Sequence, residues 1–315
     1  MPPSHDEFVD AVVHLALEAA GVPRPWRIQS VPEGIGNHVF FVGDELVVRV
    51  GTGTDGAKFP AAIAVLRAAA GVVRVPEVVH ADMSCTVVPY PVMVLRRLPG
   101  RPLCRSWSDL DAEQRISALE RLMEELDRLH RVPDDRVPDS MRTVPWWARR
   151  EAFIRREIRR QHDCSGFPTE WLSRMERYLD DNFDALGNAP LVGILHGDPG
   201  WGNVLFDGAE FCGLIDLDET RYGPSDEDSW QVLFEAGIEA EQWIPAECLA
   251  LLPGLDLSAP GVLERYVIRE TENILLLLTG ELSWKTPEEA REDAHETYRD
   301  AFDSDDMARL LEQLV

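Results

Sequence analysis

The sequence predicts an α+β fold in two lobes, a small β-rich lobe over residues 1–100 and a larger helical lobe over 101–315. Short β-branched and apolar runs crowd the stretch from Trp26 to Leu98. Beyond it, apolar residues recur at helical spacing. Between the two regimes, Leu98-Pro-Gly-Arg-Pro102 has the composition of a hinge.

Val39–Val42 and Leu46–Val50 read as strands joined at Gly43-Asp44, where a residue free to take positive φ suits a hairpin. A Gly-rich link, residues 51–56, leads to Pro60, which opens a helix over Ala61–Ala70 that Gly71 can cap. Val78–His80 and Val92–Leu95 are further strands of a small lobe expected to hold five. After the hinge, Asp109–His130 places Ile116, Leu119, Met123, Leu126 and Leu129 on one helical face. Further helices are expected over 146–161, 169–186, 226–236, 261–278 and 287–314. A β island interrupts them at Leu191–Leu195, Val204–Phe206 and Phe211–Leu217. The arginines from Arg149 to Arg160 fit a solvated helix face paired with neighbouring glutamates.

Fifty-six acidic against 31 basic residues give a formal charge of -25. That balance repels phosphate backbones and anionic membranes, so neither nucleic acid nor a membrane is an expected partner, and it attracts a cationic small molecule. The five cysteines are scattered without a Cys-x-x-Cys pair, which fits a reducing compartment. The start lacks the basic and apolar regions of a leader, and the apolar run Ile274–Leu278 is far short of the ~20 residues that span a bilayer. A cytoplasmic location is expected.

The chemistry concentrates in Leu195-His-Gly-Asp-Pro-Gly-Trp-Gly-Asn-Val-Leu-Phe206 and Gly213-Leu-Ile-Asp-Leu-Asp218. An apolar strand delivers His196 and Asp198 into a loop that Asn203 closes five positions later, and a second strand ends at Asp216. Phosphoryl transfer needs such a set: hard oxygen ligands for Mg²⁺ and a carboxylate to align the attacking hydroxyl.

Asp-x-x-x-x-Asn followed by a strand-borne Asp has the order of the protein-kinase catalytic loop and metal Asp. Gly197 replaces the Arg of His-Arg-Asp, and Asp216-Leu-Asp218 replaces Asp-Phe-Gly. The pattern resembles the aminoglycoside phosphotransferase/choline kinase superfamily, marked by His-Gly-Asp-x-x-x-x-Asn and Ile-Asp-x-[Asp/Glu]. Leu126-Asp-Arg-Leu-His-Arg-Val-Pro133 and Gly223–Asp228 are similar to two more of its stretches, and the likeness runs from about Ile28 to Trp230. It implies a bilobal protein-kinase-like fold. It also implies that Asp198 orients or deprotonates the acceptor hydroxyl, that His196 braces the loop, and that Asn203 and Asp216 bind Mg²⁺. Asp218 would be a supporting or acceptor carboxylate.

In the small lobe, Gly34-Ile-Gly36-Asn37 could bring backbone amides to phosphates. By resemblance, Arg49 stands where a kinase-like fold places its phosphate-binding lysine, and a guanidinium fork can chelate phosphate. The helix that follows should offer a Glu to hold that cation, but the matching register has Ala61 or Ala62. Either Glu33, Asp55 or a residue elsewhere orients Arg49, or Lys58 takes its place. Val92–Leu98 looks like the strand on which a nucleotide base rests, read by backbone groups of Leu95 to Arg97.

The resemblance implies a small-molecule phosphotransferase using ATP or GTP on an alcohol group. An antibiotic acceptor is expected, aminoglycosides first, with macrolide, peptide and nucleoside antibiotics as alternatives. A polyhydroxylated, cationic acceptor would meet the acids at Asp218, Glu219, Glu270 and Glu272. The competing readings are a metabolic small-molecule kinase, a nucleotide-binding pseudokinase or regulatory module suggested by the missing helix Glu, and a protein kinase, which the lack of an Ala-Pro-Glu segment disfavours.

Overall fold

The computed structural model describes residues 9–31, 37–51, 55–86, 88–164, 166–189, 191–239, 260–280 and 285–303. The chain divides into two compact units, residues 1–138 with 196–221, and residues 139–195 with 222–315. The first unit thus takes in the hinge, the helix after it and the His196–Arg221 segment, so this partition of contacts differs from a boundary drawn at residue 100.

The first unit is built on an antiparallel five-stranded sheet: β1 (Ile28–Val31), β2 (Asn37–Val42), β3 (Leu46–Gly51), β4 (Val78–Asp82) and β5 (Val92–Arg96), in the order β1-β2-β3-β5-β4. Val42 pairs with Leu46 to close the β2–β3 hairpin, and Gly43 takes φ +57 in the turn. One face carries Phe40, Val42, Val48, Val50, Val92 and Val94, alternate positions as a half-buried sheet requires. A helix that the sequence reading did not single out, α1 (His14–Ala19), covers this face through Leu17, together with Val12 and Val13 from the turn before it. α2 (Phe59–Ala69) starts with proline in its first turn and buries Ile63 and Leu66. The long amphipathic helix α3 (Ala112–His130) opens with a reciprocal cap, Asp111 accepting from the Gln114 N–H while Gln114 accepts from the Asp111 N–H. A small sheet of β6 (Arg101–Pro102), β8 (Val204–Asp207) and β9 (Glu210–Leu214) completes the unit.

β9 stops three residues short of the expected Leu217. Asp216 lies in the left-handed region at φ 60 and ψ 58, a conformation that no strand continues through, and a 3₁₀ turn follows at Leu217–Glu219.

The second unit packs α4 (Trp146–Cys164), α5 (Thr169–Asp181), α6 (Phe183–Gly187), α7 (Asp226–Glu239), α8 (Val262–Thr279) and α9 (Pro287–Phe302), with β7 (Val192–Leu195) paired to β10 (Arg221–Pro224). Its core joins Ile154 and Ile158 of α4, Leu172 and Met175 of α5, Ile274 and Leu275 of α8, and Tyr298 of α9. The helix expected over 169–186 is two, broken at Asn182. The expected helix from 287 ends at Phe302, and residues 304–314 lie outside the described residues.

The arginine-rich face of α4 is only partly solvated. Arg155, Arg156 and Arg160 pair with glutamates on their own helix, whereas Arg150 is buried and bound to Glu227 of α7 and Glu272 of α8. Beside it, Arg265 of α8 holds Asp226 at 2.7 Å. The acidic stretch after Gly223 is therefore a buried ionic anchor for three helices. No described helix is long and apolar enough to cross a membrane.

Candidate active site

His196, Gly197, Asp198 and Asn203 occupy the loop between β7 and β8, and they lie with Asp216, Asp218 and Glu219 in the first unit. The His196 ring is fully buried. Its Nδ1 accepts from the Asp198 N–H at 3.3 Å, so Nε2 carries the proton and donates to the Ile215 carbonyl at 3.0 Å. One imidazole thereby ties the loop to the segment bearing Asp216. A second tie is the Ile215 N–H to the Asn203 carbonyl, 2.9 Å.

Asn203 Nδ2 donates to both the Asp198 carboxylate (2.9 Å) and the Asp198 carbonyl (3.1 Å). The carboxylate is thus fixed from within its own loop, and the Asn203 side-chain carbonyl oxygen is turned away from it. Between these residues the buried Trp201 packs at a tilt against Trp107, ring centres 4.3 Å apart, and anchors the loop tip.

Gly197 is the tightest point. It takes φ +87, and a Cβ there would stand 2.0 Å from the Glu219 carbonyl oxygen. Only glycine lets the loop lie this close to the Leu217–Glu219 turn, which accounts for the absence of the arginine found at this position in His-Arg-Asp.

Arg49, on β3 opposite Met93 of β5, is buried and points its guanidinium at that turn. It makes a fork to Asp218, at 2.9 and 2.7 Å, and a third bond to Asp216 at 2.9 Å. Asn37 Nδ2 adds a bond to Asp218 at 2.9 Å. Burial pushes the Asp218 carboxyl up to about 6, with the Asp216 charge adding to it and Arg49 opposing. Burial works against the Arg49 charge as well, yet Asp216 and Asp218 outweigh it and hold the guanidinium above its ordinary value. Lys58 reaches the neighbouring carboxylate, Glu219, at 2.6 Å.

Of the expected nucleotide residues, Arg49 meets Asp216 and Asp218 after β9, Asn37 meets Asp218, and Gly34 and Gly36 lie outside the described residues. Leu95 pairs with Val47 on one side and Val78 on the other, while the Arg96 and Arg97 N–H groups donate to the Glu77 and Glu45 carbonyls. The N–H groups of Arg96 and Arg97 are thus engaged within the sheet, and the Arg97 side chain lies over Phe41. Among the expected acceptor carboxylates, Asp218 is held by Arg49, Glu219 by Lys58 and Glu272 by Arg150. Glu270 lies against Arg269 and Asn273. Asp218 as the partner of Arg49 is the contact that sequence reasoning missed; the alanines where a helix Glu was expected were its only signal.

The residues suit a magnesium ion. Among the described residues no three His, Cys, Asp or Glu side chains gather around a metal position. The site instead offers the Asn203 carbonyl oxygen and the half-exposed Asp216 carboxylate. Mg²⁺ is commonly held by one or two protein oxygens, with nucleotide phosphates and water supplying the rest.

A family model described as "Phosphotransferase enzyme family" matches residues 27–260. The chain belongs to that family. It is a small-molecule phosphotransferase with a hydroxyl acceptor, and its fold is the kinase-like one expected. The GDP complex of wild-type aminoglycoside 2'-phosphotransferase-IIIa superposes with a TM-score of 0.66 at 15% identity, covering 92% of this chain and 96% of the other. ADP-bound aminoglycoside phosphotransferase APH(2'')-Ib gives 0.69 at 12% identity over 96% and 99% of the two chains. A choline/ethanolamine kinase family protein from Mesorhizobium loti gives 0.65 at 19% identity over 98% and 99%. These likenesses establish the fold. No match was found among curated proteins.

Proposed function

We propose that this phosphotransferase moves the γ-phosphoryl group of ATP or GTP to a hydroxyl of a small, polyhydroxylated antibiotic in the cytoplasm, with an aminoglycoside as the first acceptor to test. The observation that carries the reading is Asp198, its carboxylate fixed by Asn203 Nδ2 and its backbone fixed by the His196 ring. The acceptor oxygen forms a bond to the γ-phosphorus as the bond from that phosphorus to the β–γ bridging oxygen breaks. The hydroxyl proton passes to the Asp198 carboxylate, and the nucleoside diphosphate leaves. Mg²⁺ held by Asn203 and Asp216 would neutralise charge developing on the phosphates. Arg49, on a rigid strand, is the cation for the remaining phosphate oxygens, and a formal charge of -25 favours a cationic acceptor. The GDP and ADP complexes of the structural relatives support a nucleotide donor without choosing its base.

The test is a mass-spectrometric screen of hydroxylated antibiotics, with ATP and GTP in parallel, for a phosphate-sized mass gain. Wild-type protein should modify at least one acceptor, and Asp198→Asn should bind nucleotide yet transfer nothing. Transfer by Asp198→Asn at the wild-type rate would refute the role of this carboxylate. Nucleotide binding without transfer to any acceptor would favour a regulatory module.

A further inference from the structure

We propose that Asp218 is the positioning residue for Arg49, doing from the turn after β9 what the missing glutamate of α2 would otherwise do. The inference rests on the reading of Arg49 as the phosphate-binding cation and deepens it.

The register of α2 that should carry a carboxylate has Ala61 and Ala62, so the helix cannot hold a cation on β3. A buried guanidinium left without a partner is strongly disfavoured, so some carboxylate must answer it. Asp218 does so with both oxygens in a planar fork, a geometry that fixes the direction of the guanidinium as well as its place. Asn37, from the start of β2, braces the same carboxylate.

Burial separates the two aspartates that Arg49 touches. The Asp218 side chain is 9% exposed and the Asp216 side chain 45%. The Asp218 fork is therefore the fixed part of the network, and the single bond to Asp216 is the one at its solvent side, open to exchange for a phosphate oxygen. The pairing also explains why arginine stands on β3. A lysine has no fork and could not meet both Asp218 oxygens in one plane.

The experiment is a double-mutant cycle on nucleotide affinity, with ATP and GTP titrated calorimetrically at fixed excess Mg²⁺ without acceptor. Wild type, Arg49→Ala, Asp218→Asn and the double variant are compared. Asp218→Asn should weaken nucleotide binding about tenfold when Arg49 is present and less than about twofold when it is alanine. In turnover, nucleotide KM should rise while acceptor KM stays unchanged.

Additive losses, or an effect confined to acceptor KM, would overturn the inference and leave the phosphate role of Arg49 standing. Unchanged affinity in Arg49→Ala would overturn both. Should Asp218→Asn fail to fold, Arg49→Lys decides: it keeps the charge without the fork and is expected to bind nucleotide nearly as weakly as Arg49→Ala. Wild-type affinity in Arg49→Lys would overturn the inference.

Discussion

Replacing Gly197 by alanine puts the close approach of the catalytic loop to the Leu217–Glu219 turn under direct strain. The added Cβ would stand 2.0 Å from the Glu219 carbonyl oxygen and 2.6 Å from its carbon, where real contacts begin at 3.0 Å. Loop and turn must therefore part by about 1 Å, and neither atom belongs to a side chain that can swing away. The φ of +87 adds roughly 1–2 kcal/mol for any residue with a Cβ. A displacement of about 1 Å between Asp198 and the aspartates beyond Ile215 is enough to cost on the order of 10²-fold in turnover. Thermal unfolding should report the conformational cost, and nucleotide turnover with an accepted acceptor should report the displacement. A variant with wild-type melting temperature and wild-type kcat would refute the claim that this contact sets the geometry of the site.

Asn203→Ala and Asp216→Asn, the latter chosen because asparagine also tolerates the left-handed backbone, should each raise the Mg²⁺ needed for nucleotide binding by roughly tenfold. Unchanged Mg²⁺ dependence in both would contradict the metal role. Glu227→Ala leaves the buried Arg150 short of its bidentate partner and should cost about 3–5 kcal/mol in urea unfolding. A loss below about 1 kcal/mol would show that Glu272 alone suffices. Burial raises the Glu270 carboxyl above its ordinary value, with Arg269 opposing. Its favourable linkage to folding is complete below the ordinary carboxylate range and is lost as pH rises through the raised value. Glu270→Gln lacks that loss, so its melting temperature relative to wild type should climb as pH rises from the ordinary carboxylate range through the raised value. A constant or shrinking difference would argue against the burial effect.

Short-range chemistry was legible in the sequence. His196, Asp198 and Asn203 lie within one loop, so their spacing alone implied their convergence. The stripe from Ile116 to Leu129 marked α3 because a helix repeats locally. What escaped depends on partners far along the chain. Arg49 and Asp218 are 169 residues apart, and no local pattern says which carboxylate a strand arginine will meet. Arg150 looked like its solvated neighbours on α4, although two other helices bury it. The overlong strand toward Leu217 failed for a different reason. Leu214, Ile215 and Leu217 are apolar enough for a strand, but the tight fit of this segment to the catalytic loop turns the backbone left-handed at Asp216.

The packing of Trp201 on Trp107 gives this protein an optical probe that chemistry need not install. Two indoles with centres 4.3 Å apart, inclined at 47°, are close enough for their transitions to couple. One of them rides on the loop tip between Asp198 and Asn203. The near-ultraviolet dichroism of this pair is thus a built-in gauge of catalytic-loop order. A Trp107→Phe difference spectrum isolates it from the other seven tryptophans. Nucleotide, metal and acceptor can then be added one at a time, and the signal will report which of them moves the loop.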